Sequence, residues 1–173
     1  MRERHPAADS PWYNRWEKPD FDTLMAPYAE PIDTLLPKLF TLAAEQVPGL
    51  QRELVWHGTA WRWAFQYTAP ATEPGLAEEV EPGRNVLFYF IPNPLEHTIV
   101  VPMSQAFLQH VPLRRLNRYI RDGIRGARWS VEVRWGMWNP SNNPEVDHLA
   151  DLIKRKGKIM VGESPSQKRL AAS

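Results

Sequence analysis

The run from Trp61 to Tyr67 constrains this chain more than any other seven residues. Trp61, Trp63, Phe65 and Tyr67 alternate with Arg62, Ala64 and Gln66. On a helix those four rings would scatter around the axis. On a strand they share one face, because successive side chains point to opposite sides. A face so rich in large rings needs a cover, so the chain must build a sheet and pack something on it. Leu50 to His57 has the same period, with Leu54 and Trp56 on one face and Glu53, Val55 and His57 on the other. Gly58-Thr59-Ala60 turns the chain, and the two runs read as a β-hairpin. Val86 to Ile91 (VLFYFI) is almost continuously apolar and reads as a central strand. His97 to Val101 reads as a fourth strand. Trp129, Val131, Val133 and Trp135, alternating with Ser130, Glu132 and Arg134, read as a fifth.

Elsewhere the apolar period changes to that of a helix. Ile32, Leu35, Leu36, Leu39, Phe40, Ala43 and Val47 form one face of a helix that Pro48-Gly49 stops. Ser104 is placed to cap a short helix through His110. Leu113, Leu116, Ile120 and Ile124 predict an arginine-rich helix over 113–128. Asn143 and Pro144 open a last helix whose apolar face holds Val146, Leu149, Ala150 and Ile153. Lys154, Arg155 and Lys156 sit near its C-terminus, where the helix dipole favours cations. The order α-β-β-β-β-α-α-β-α predicts an α+β fold: one mostly antiparallel five-stranded sheet with helices on one face.

At 173 residues the chain has room for one domain. Four prolines and the aromatics Trp12, Tyr13 and Trp16 predict an irregular arm over 1–30, with its rings docked on the domain. The domain proper is expected over 31–160, interrupted by an acidic Pro/Gly-rich loop at 69–85. Residues 161–173 are expected to form a disordered polar tail. No secretory leader is expected at the N-terminus, and no stretch has the length and apolarity of a membrane span, so the expected setting is cytoplasmic and off the membrane. The absence of cysteine excludes disulfides, thiolate metal ligation and thiol catalysis.

The element succession LVWHGTAWRWAFQY, RNVLFYFIP, HTIVV, RWSVEVRW and PEVDHLADLIKRK resembles an uncharacterised bacterial family, domain of unknown function 3788, which belongs with the YdhG-like domains. The likeness spans residues 32–158. It implies the fold rather than a reaction. Some YdhG-like proteins are regarded as frataxin-like iron chaperones, which use exposed acids on a helix and an edge strand. The matching first helix here offers Asp33 and Glu45, and no functional residue is transferred.

Chemistry-bearing motifs are sparse. His5, His57, His97, His110 and His148 show no paired metal-ligand spacing, although His57 and His97 could approach across a sheet. Nucleophile elbows, phosphate loops and paired carboxylates are not recognisable, so no catalytic residue, metal ligand or cofactor is nominated. Two features remain. The first is the tryptophan density, 8 in all. Trp61, Arg62, Trp63 and His57 of the hairpin, with Trp138, are candidates to line a ligand groove for a small molecule or a protein. The competing reading places most of these rings in the core. The second is the arginine stripe Arg114, Arg115, Arg118, Arg121 and Arg125, which could bind RNA or DNA. Residues 1–100 carry 8 Lys/Arg against 14 Asp/Glu, a net of −6, and residues 101–173 carry 13 against 6, a net of +7. Glu78, Glu79 and Glu81 are alternative partners for the arginines.

Overall fold

The structure, a computed structural model, describes residues 10–57, 62–70, 86–130 and 132–160. The chain runs α1 (Phe21–Met25), α2 (Ile32–Gln46), β1 (Gln51–His57), β2 (Arg62–Thr68), β3 (Val86–Ile91), β4 (Thr98–Ser104) and α3 (Gln105–His110). A 3-10 turn (Leu113–Arg115), α4 (Arg118–Gly126), β5 (Arg128–Ser130), β6 (Val133–Trp138) and α5 (Asn143–Met160) complete it. The strands form one antiparallel sheet in the order β1-β2-β3-β4-β6-β5. The architecture is α+β with an open sheet. The acidic loop beyond Pro70, residues 1–9, the turn 58–61 and the tail 161–173 lie outside the described residues.

The structure departs from the sequence reading in several places: the arm read as irregular holds the short helix α1, whose first turn the Asp20 side chain caps by accepting from Thr23 N–H, and the fourth strand runs Thr98–Ser104 rather than His97–Val101. The fifth strand is two strands: the chain reverses at Glu132, whose φ is +65°, so the sheet has six strands. The predicted helix over 113–128 is a 3-10 turn and a nine-residue helix, because Leu116 turns inward in extended conformation and the Asn117 side chain caps α4 by accepting from Tyr119 N–H. The arginine stripe is therefore split between two short elements. At the start of α5 the cap is Asn142, whose side chain accepts from Glu145 N–H, while Asn143 binds Lys38. Ser104 caps α3 as its position predicts.

Helices and strands bury a common core on one side of the sheet. Leu35, Leu36, Leu39 and Ala43 of α2 and Val146, Leu149, Leu152 and Ile153 of α5 meet Phe65, Tyr67, Phe88, Phe90, Ile99 and Val101. The rings stack in pairs, Tyr67 on Phe88 at 4.2 Å and Phe65 on Phe90 at 6.0 Å between centroids. Thus the period-two rings of β2 are core. The arm joins the same core: Leu24 is fully buried, Phe21 packs edge-on to Phe65, and Trp12 leans on the cluster. Beyond the last β2–β3 pair, the arm replaces a strand. Trp63 N–H donates to the Trp12 carbonyl and the Trp63 indole N–H donates to the Asn14 carbonyl.

Pro102 stands inside β4, a central strand, where it can donate nothing to a neighbour. The β3–β4 ladder stops at Tyr89–Val100, two residues short of it. Lys156 enters this gap from α5. Its ammonium donates to the carbonyls of Val86 and Leu87, at 2.6 and 3.1 Å, and to that of Pro102. Three donors meet three acceptors, so the splayed strands keep their carbonyls satisfied without water. Burial pushes the Lys156 pKa down to about 7, while the three carbonyls favour the charged form.

The Trp138 indole occupies the space between α4 and β6. A Cβ at Gly123 or at Gly136 would overlap its ring. Gly123 interrupts α4 at a helical propensity cost because only a bare backbone lets the helix lie on that ring.

Two outcomes follow from this packing. An unfolded lysine holds its proton to about 10.5, so between pH 7 and 10 the unfolded chain binds more protons than the folded one and stability rises with pH. Denaturant midpoints at successive pH values will show that slope in the wild type and lose it in Lys156→Met; equal slopes would exclude a shifted lysine. Gly123→Ala will destabilise the fold by about 1–3 kcal/mol, read as a lowered melting temperature, and an unchanged melt would mean that the indole has room to move.

Candidate functional site

Pairing of the strands assigns each side chain to a face. Arg52, Leu54 and Trp56 of β1 and Trp63, Phe65 and Tyr67 of β2 point toward the helices. Glu53, Val55, His57, Arg62, Ala64 and Gln66 point the other way. On that second face the buried cluster consists entirely of strand residues: Ala64, Val86, Tyr89 and Val100, with Ile91 and Trp135 against them. No described helix contributes to it.

A row of three rings crosses this face. His57 of β1 meets Tyr89 of β3 edge-on at 5.8 Å, and Tyr89 meets Trp135 of β6 at 6.2 Å. The intervening strands present Ala64 and Val100, small enough for the rings to arch over them. Each end carries a guanidinium. Arg62 is the cross-strand partner of His57, with the Tyr13 ring of the arm 5.9 Å from it, and Arg128 is the partner of Trp135. Half-exposed Met137 continues the apolar strip beside Trp135. The His57 Nδ1 is buried and has no hydrogen-bond partner among the described residues. A buried ring nitrogen without a partner is costly and poised for a polar group brought by a ligand.

Of the residues nominated from sequence, His57 and Arg62 are brought together here. Trp61 lies outside the described residues. Trp63 and Trp138 do not line a groove: both are buried, on the helix side of the sheet, with indole N–H groups donated to the Asn14 and Tyr119 carbonyls. Tyr89 and the contact of Trp135 with it were not anticipated. VLFYFI shows no alternation, so the side of Tyr89 could be read only once β2 and β3 were paired.

Other polar candidates serve the fold. His97 bonds the Pro140 carbonyl and packs on Tyr28, on the helix side, so it does not converge with His57. His110 bonds the Ala106 carbonyl, and Ser141 bonds Glu145. Burial pushes the Tyr28, Tyr67, Tyr89 and Tyr119 phenols up, which keeps them protonated near neutrality. Among the described residues no three His, Asp or Glu side chains are grouped to hold a metal ion. Asp33 and Glu45, at opposite ends of α2, stand about 18 Å apart along its axis. No described helix is long and apolar enough to cross a membrane.

The arginines occupy a second region. Arg118 pairs with Asp122 at 3.3 Å in an exposed i,i+4 contact. Among the described residues, Arg114, Arg115, Arg121, Arg125 and Arg128 make no ion pair. Glu78, Glu79 and Glu81, the alternative partners, lie outside the described residues. Comparison with family models, with curated proteins and with solved structures returned no match to this chain.

The burial of Trp63 sets an expectation distinct from ligand binding. Trp63→Ala will cost about 3–5 kcal/mol of stability and release the arm, seen as new protease cleavage N-terminal to Phe21. A variant that folds normally with its arm protected would remove Trp63 from the core.

Proposed function

We propose that this chain is a non-enzymatic binding domain, and that its ligand sits on the sheet face turned away from the helices. The observation carrying this reading is the ring row His57–Tyr89–Trp135 with a guanidinium at either end. Rings in a row favour a flat apolar body, and the arginines favour an acidic group on its rim. The His57 Nδ1, without a partner among the described residues, supplies a point of orientation. The structural engagement of His97, His110, Ser104 and Ser141 supports binding over catalysis, since these groups already have partners. The likeness to the YdhG-like domains belongs to the same proposal. It rests on the sequence succession from LVWHGTAWRWAFQY to PEVDHLADLIKRK.

Anilinonaphthalene sulfonate, a flat aromatic acid, tests the surface directly. Saturable enhancement of its fluorescence on the folded protein is expected, with energy transfer from tryptophan. Trp135→Ala and Arg62→Gln should each weaken it by about tenfold, the equivalent of 1.4 kcal/mol. Both variants should keep the wild-type circular dichroism and melting temperature within a few degrees. Unsaturable binding, or binding indifferent to both substitutions, would refute the reading.

A further inference from the structure

The corner where α4 runs into β5 carries a different set of groups. Trp129 lies on the edge strand and is 49% exposed, one of few large apolar side chains in the open among the described residues. The Arg134 guanidinium lies over its ring at 4.7 Å, and Arg134 Nη1 donates to the Ile124 carbonyl at 3.3 Å, in the last turn of α4. That hydrogen bond fixes the guanidinium, which in turn holds the indole. Arg121 and Arg125 stand on successive turns of the same helix. Neither has an acid partner among the described residues, and the Nε atoms of Arg121 and Arg134 are buried with no acceptor. Among the described residues nothing lies within 4 Å of a Cβ placed at Gly126, at the end of α4.

Arg134, held over an exposed indole, and two helix arginines with no acid partner among the described residues offer an anion site beside a stacking surface. Guanidinium N–H groups donate in pairs to phosphate oxygens, and an indole stacks on any base. A duplex keeps its bases stacked on each other and offers none to Trp129. An acidic peptide would satisfy the arginines but leave the ring unused. We infer that this corner binds single-stranded nucleic acid, with a base on Trp129 and the adjoining phosphates on Arg121 and Arg125. β5 is an edge strand, three residues long and exposed throughout, so its outer side faces no other described strand. The inference concerns a surface separate from the ring row and does not depend on it.

Fluorescence anisotropy of a labelled oligothymidylate against the full chain provides the test. Saturable binding is expected, falling steeply as salt is raised. Trp129→Ala should weaken it about tenfold with little change in salt dependence. The double variant Arg121→Ser, Arg125→Ser should lower both affinity and the salt slope. Trp129 and Arg125 are exposed, and circular dichroism should confirm that these variants fold. Should Arg121→Ser disturb α4, Arg125→Ser alone must still reduce the slope. Absence of saturable binding would overturn the inference. So would equal affinity for a duplex of the same length, for polyglutamate, or for phosphatidylserine vesicles, or binding that Trp129→Ala leaves unchanged.

Discussion

The sheet depends on how one lysine resolves the conflict created by Pro102. A proline in a central strand removes a ladder donor, and the β3–β4 pairing gives way beside it. Left alone, the Val86, Leu87 and Pro102 carbonyls would face the core with nothing to accept. Lys156 supplies all three hydrogen bonds from a single atom on α5. The interaction therefore ties the closing helix to the two middle strands and makes a polar contact the keystone of an apolar layer. It also explains why α5 is long, since Lys156 lies nearly four turns beyond the Asn142 cap and the helix must reach it.

Covering one face of the sheet with helices determines the character of the other. Side chains alternate, so placing the large rings of β2 under α2 forces His57, Arg62 and Ala64 outward. The ring row is thus a by-product of register: odd positions along the sheet carry rings, and the strands between them carry Ala64 and Val100. The corner at β5 arises by a different route. The reversal at Glu132 converts one expected strand into a hairpin, and this brings Trp129 beside Arg134 rather than in line with Trp135.

Most of the strands were legible because aromatic and apolar residues recur at period two over six or seven positions. The break at Glu132 was not, since a non-glycine residue at positive φ leaves no turn dipeptide in the sequence. The helix break at Leu116-Asn117 had a readable sign, Asn117 as a cap, but the apolar spacing continued across it. Lys156 read as a cation favourable to a helix C-terminus. Its register with Leu149 and Ile153, however, places it on the buried stripe, and that spacing was the available signal. Among site residues, His57 and Arg62 could be paired from sequence. Tyr89 could not, because a uniformly apolar strand conceals which of its faces each side chain takes.

The N-terminal arm makes two bonds to a single residue, the backbone N–H and the indole N–H of Trp63, both through its carbonyls. Neither proton is otherwise engaged by the sheet. Their exchange with solvent deuterium therefore reports lifting of the arm from the domain, independently of global unfolding. The arm is in this sense a separately opening unit with its own protection factor, and Trp63 is where that equilibrium becomes visible.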